Sequence, residues 1–132
     1  MSDYKILRLE EAPDAFGGQY PGEMRFLTDH LGSEQVAFTY RRMPQHTGGK
    51  GGYGHRHKSQ EELYFVLEGE LQFKLGDDVI DVPAGCAVRV PASTWRSVWN
   101  DKPEDAELVI VSTKAASPED AEAELLPDFW PE

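Results

Sequence analysis

The stretch His55-Arg56-His57-Lys58-Ser59-Gln60-Glu61-Glu62 holds the side chains with the clearest capacity for chemistry. His55 and His57 stand two apart, so an extended backbone projects both imidazoles to one side. After a short turn, the carboxylate of Glu62 on the returning strand can meet them. Two neutral imidazoles and one carboxylate suit a divalent Fe, Mn, Ni or Zn ion. An HxH pair taken alone is ordinary loop polarity, and the wider spacing decides how to read it.

Gly49, His55, His57, Glu62 and Gly69 follow the order G(x)5HxH(x)4E(x)6G, and Tyr64-Phe65-Val66-Leu67-Glu68-Gly69-Glu70 continues it. This run resembles the first motif of the cupins at every defined position. The second cupin motif is matched at Gly85, Pro91 and Asn100 only, with Ser93 where a turn glycine belongs and Arg96 where the family has its fourth metal ligand, a histidine. The resemblance covers residues 35–112. It implies an all-β fold, the antiparallel double-stranded β-helix or jelly-roll cupin barrel, with His55, His57 and Glu62 pointing inward as ligands of a divalent metal.

Nothing transfers from the family to Arg96, because a guanidinium is permanently protonated and has no lone pair to coordinate with. Three arrangements stay open. Arg96 can turn aside, leaving two His and one Glu as a facial triad. It can stay beside the metal and hold a substrate carboxylate or phosphate with its planar fork. It can also pair with Glu62 and fill a metal-free site. Tyr64 shares a face with Glu62 and is a candidate hydrogen-bond donor to a ligand, although filling the core is the commoner role. The leading expectation is a small cupin whose metal acts as a Lewis acid on, or oxygen activator for, a small polar or anionic molecule, with Arg96 and Tyr64 binding it. Whether the reaction is oxygenation, isomerisation or decarboxylation is not written in these residues. The alternative is a non-catalytic, metal-free ligand-binding or sensory cupin with Arg96 paired to Glu62.

Short segments rich in Val, Tyr, Phe, Trp and Thr, separated by turn residues, must position these groups. Strands are expected over 35–42, 62–68, 70–75, 78–82, 86–90, 95–99 and 107–112. Leu75-Gly76-Asp77-Asp78 and Val82-Pro83-Ala84-Gly85 supply tight turns between antiparallel neighbours. Thr47 to Gly54 is Gly-rich without the order of a phosphate loop and reads as a flexible loop. Ser117 as cap, Pro118 at the first helical position and Glu119 and Asp120 after it predict one short helix over 118–125. Phe129 and Trp130 beyond it are expected to tuck back onto the barrel.

Residues two apart on a strand share a face, so Leu71, Phe73 and Leu75 point inward while Gln72 and Lys74 point out. Strand 62–68 has no polar side: Glu62, Tyr64, Val66 and Glu68 oppose Leu63, Phe65 and Leu67. Covering of that second face by a second sheet, the termini or another subunit is implied, and of these a homodimer is the expectation. If Arg96 points inward, so do Val98 and Asn100, and Trp95, Ser97 and Trp99 point outward, the two tryptophans as anchors for a subunit or a terminal segment. Cys86 is expected to pack as a small hydrophobe, and His30 and His46 to lie on the surface, with His46 a distant candidate for a supplementary ligand.

The 132 residues suit a single domain, with an N-terminal segment 1–34 packing on a barrel of 35–113 and an acidic helix and tail at 114–132. Thirteen Lys and Arg against 24 Asp and Glu give a net charge of −11. That sign repels phosphate backbones and anionic headgroups, so neither nucleic acid nor a membrane surface is an expected partner. Residues 1–100 carry 11 basic and 14 acidic side chains and residues 101–132 carry 2 and 10, so most of the charge lies in the tail. A lone cysteine permits no internal disulfide, and the acidic start lacks the apolar run of a signal peptide. A soluble cytoplasmic protein that binds a small molecule is the expectation.

Overall fold

A computed structural model describes residues 3–115, 117, 119 and 123–132. Its strands are β1 (Glu23–Phe26), β2 (Val36–Met43), β3 (Thr47–Gly48), β4 (Gly52–Arg56), β5 (Glu62–Glu68), β6 (Glu70–Leu75), β7 (Asp78–Pro83), β8 (Ala87–Val90), β9 (Arg96–Asn100), β10 (Ala106–Thr113) and β11 (Glu124–Trp130). A four-residue helix, α1 (Thr28–Leu31), follows β1. Two antiparallel sheets result, one ordered β1-β2-β10-β5-β8 and the other β11-β4-β9-β6-β7, with β3 paired to β9. This is the all-β, jelly-roll architecture expected.

All seven strands read from hydrophobic alternation are present, each within one residue of its expected ends. The inner faces also follow the alternation. Tyr64 and Val66 of β5, Leu71 and Phe73 of β6 and Val98 of β9 pack with Met43, Val82, Val90, Ala106 and Leu108 into one buried core between the sheets. Asn100 is fully buried and ties the end of β9 to its surroundings, its amide donating to the Met43 and Glu104 carbonyls, both at 2.8 Å, while its oxygen accepts from the Lys102 N–H.

Three readings need correction. The Gly-rich stretch is not a free loop but contributes β3 and β4. Glycine is needed there for close approach: a Cβ at Gly54 would lie 2.2 Å from Cδ2 of Phe129, and one at Gly48, where φ is +121°, would lie 2.1 Å from the Val98 carbonyl oxygen. The helix expected over 118–125 falls largely outside the described residues, and its last two positions, Glu124 and Leu125, belong instead to β11, paired with Arg56 and His55. Pro127 breaks no ladder because β11 is an edge strand whose pairing shifts between Leu126 and Trp130. Phe129 and Trp130 are buried on the barrel. Cys86, expected in the core, is exposed.

The N-terminal residues also join the architecture. Β1 is the edge strand beside β2, and the Asp14 carboxylate accepts hydrogen bonds from the N–H groups of Phe16 and Met24, both at 3.0 Å. Arg25 donates to the Ala12 carbonyl at 2.6 Å. Together these contacts fix residues 12–24 as a loop over one end of the space between the sheets.

Candidate metal centre

His55 lies on β4 directly opposite Arg96 of β9, both in the same sheet. His57 follows the end of β4 and is pinned by its own N–H, which donates to the Ala92 carbonyl at 2.8 Å. Glu62 opens β5 in the other sheet. The chain thus crosses between sheets at 57–61, and the histidines face the carboxylate across the interior rather than along one ladder.

The donor atoms of His55, His57 and Glu62 all lie within 4.8 Å of one another. Glu62 Oε1 is 3.5 Å from His57 Nε2 and 3.9 Å from His55 Nε2. The imidazoles stand nearly perpendicular, with an interplanar angle of 84°. The Tyr64 hydroxyl donates to Glu62 Oε1 at 2.7 Å, so the tyrosine, itself buried, orients the carboxylate. Burial alone would raise the Glu62 pKa, but the nearby His55 and His57 imidazoles and the Tyr64 hydroxyl outweigh it and hold the carboxyl well below its usual range. At neutral pH Glu62 is a carboxylate.

Both ring nitrogens of His57 are buried without a hydrogen-bond partner. An imidazole left with no partner at either nitrogen is costly, and a cation bound at Nε2 would satisfy one of them. Two nitrogens and one oxygen converging on one point therefore fit a divalent metal of the Fe, Mn, Ni or Zn class.

Arg96 is completely buried. Its terminal nitrogens donate to the carbonyls of Pro91 at 3.1 Å and Ala92 at 3.4 Å, and its Nε lies 3.8 Å from Glu62 Oε1 without a hydrogen bond. The side chain therefore stands in the wall beside the three donors, with its fork turned toward the β8–β9 turn. Trp95, just before β9, and Trp99 on it each meet a neighbour in the same chain, Trp95 the Arg56 guanidinium 4.4 Å from its ring centroid and Trp99 the stacked His46 ring, whereas Ser97, expected to point outward, is buried and lines the cavity.

A cavity of about 720 Å³ opens over this centre. Besides His55, Glu62, Tyr64 and Arg96 it is lined by Phe16 and Tyr20 of the N-terminal loop, Arg41 of β2, and His46, which has φ of +60°. Sequence reasoning missed Arg41 and the two aromatics and set His46 on the surface. His46 is exposed, but at the mouth of this cavity. Alternation hid the inward position of Arg41, because Val36, Phe38 and Tyr40 make the opposite face of β2 the more apolar one.

A family profile described as a cupin domain matches residues 42–112. No curated protein matches the chain. Solved structures do. A structure described as a sugar phosphate isomerase from a cupin superfamily, from Silicibacter pomeroyi, superposes with a TM-score of 0.73 at 20% identity, covering 97% of this chain and 96% of that one. A cupin protein from Bacteroides fragilis gives 0.70 at 22%, with 89% of each chain covered. A predicted oxalate decarboxylase from Thermotoga maritima gives 0.67 at 22%, covering 83% of this chain and 98% of that one.

Proposed function

The chain belongs to the cupin superfamily, and on that premise we propose that it holds a divalent metal through His55, His57 and Glu62 and binds or transforms a small anionic molecule in the cavity above it. The observation that carries this reading is His57, a buried imidazole with neither nitrogen satisfied, aimed at a carboxylate that Tyr64 holds in place. When bound, the metal supplies Lewis-acid polarisation of a ligand oxygen. Tyr64 keeps Glu62 in the orientation that coordination requires, and the N-terminal loop shields the cavity from water. The anionic character of the ligand follows from a lining in which, among the described residues, Glu62 is the sole carboxylate beside two guanidiniums. Two structural relatives are named for small anions, a sugar phosphate and oxalate, which agrees with that charge.

A second reading, a metal-free binding module with Arg96 paired to Glu62, draws support from their 3.8 Å separation. Calorimetric titration of Mn, Fe, Ni and Zn ions into the wild type and Arg96→His separates the two. The metal reading expects saturable binding by the wild type and, with the family's fourth ligand restored, at least tenfold tighter binding by the variant. Absence of binding by the wild type would favour the second reading.

The same proposal takes the chain as a homodimer. Leu63, Phe65 and Leu67 of β5 are exposed at 46%, 40% and 42% on the outer face of their sheet, where Val109 and Val111 of β10 and Phe38 of β2 extend the apolar surface. Oppositely charged pairs flank it, Arg89 with Glu61 and Arg42 with Glu23 and Asp105. A face that is apolar at its centre and carries both signs at its edges is complementary to a second copy of itself.

A further inference from the structure

The cavity contains one cation that nothing among the described residues neutralises. Arg25, Arg42, Arg56 and Arg89 each reach a carboxylate, and Arg96 reaches two carbonyls. Among the described residues of the sheets, Arg41 alone among the arginines has neither. Its backbone lies between Met24 of β1 and Leu108 of β10 in one cross-strand row, and all three side chains line the cavity. Its Nε is buried without a partner, and its guanidinium carbon lies 6.0 Å from the centroid of the Phe16 ring. Phe16 is in turn packed edge-on against Tyr20 at 5.7 Å, so the cation sits beneath an aromatic cover.

Arg41 is half-buried, and a guanidinium partly withdrawn from water without a counter-ion carries a cost that is relieved when an anion arrives. Its planar fork suits the two oxygens of a carboxylate or phosphate. Around it, Met24, Leu108 and Ile110 form an apolar wall, and Phe16, Tyr20 and Tyr53 an aromatic one. With its own nitrogens committed to Pro91 and Ala92, Arg96 is poorly placed to serve as this anchor.

We propose that Arg41 is the anchor for the ligand's anionic group, and that the site selects a small organic carboxylate or phosphate with an apolar body lying under Phe16 and Tyr20. This rests on the reading of the cavity as the ligand site and names the residue and ligand class that reading leaves open.

Calorimetric titration of benzoate, phenyl phosphate and neutral benzamide into the metal-loaded protein tests it. Benzoate or phenyl phosphate, whichever anion the site takes, binds the wild type at least tenfold tighter than benzamide. Arg41→Gln brings that anion to the benzamide level without changing benzamide, and Arg41→Lys, which keeps the charge but not the fork, falls between. If Arg41→Gln does not fold, the anion-to-benzamide ratio in the wild type and its decline in Arg41→Lys decide the matter. Equal affinities for anions and benzamide, no binding of either anion, or an unaltered preference in the Arg41 variants would overturn the proposal. The metal content of each sample is read alongside. An Arg41-dependent preference in protein that retains no metal would leave the anchor standing and end the metal reading, whereas a metal-replete protein with no such preference would end the anchor alone.

Discussion

At the scale of single residues the centre depends on Glu62, whose carboxylate is approached by two imidazoles and a phenol. Its folded-state pKa lies below the ordinary value of 4.5. The stabilisation that follows is complete above the unfolded value and is lost as pH falls through the folded one. Metal-free wild type should therefore exceed Glu62→Gln in stability at neutral pH, with the gap narrowing as urea denaturation is repeated from about pH 5 to about pH 3. A gap that stays constant on acidification would show that the charge of Glu62 does not matter to the fold. The three donors and Tyr64 were legible because short-range spacing on extended backbone fixes which side chains share a face. Arg41 was not, since its significance lies in what it lacks, and the absence of a counter-ion appears only when strands distant in sequence are assembled around it.

Strands β2 and β5 to β10 could be read from alternation because one face of each is buried in the core, whereas β4 and β11 could not. Β4 has the sequence Gly52-Tyr53-Gly54-His55-Arg56, whose glycines signal a loop until the ring of Phe129 is placed against Gly54. Β11 follows Ser117-Pro118-Glu119-Asp120, a persuasive helix start, and contains a proline tolerated only because the strand is an edge. Each of these two strands makes sense only with the other present, and their pairing places Leu125 opposite His55. Gly54→Val should consequently displace Phe129, costing about 1–3 kcal/mol in thermal or denaturant unfolding, the usual penalty for overpacking. It should also weaken metal binding, because β4 carries His55. Wild-type stability in that variant would contradict the assigned role of the glycine.

At the scale of the whole molecule, the net charge of −11 proves a poor guide to the site. The excess of acidic over basic side chains lies mostly in the last 32 residues, while the cavity's described lining holds two guanidiniums and one carboxylate. No helix among the described residues is long and apolar enough to cross a membrane. The exposed apolar face of β5 bears on assembly: sedimentation of the wild type at micromolar concentration should give twice the 14.8 kDa chain mass, and Phe65→Glu should give the single mass with metal content unchanged. A monomeric wild type would remove the dimer. The central claim is most directly tested by elemental analysis of tag-free protein beside a His55→Ala/His57→Ala double variant. The account predicts close to one divalent ion per chain in the wild type and almost none in the variant. Sub-stoichiometric metal in both, or equal loading of both, would contradict it.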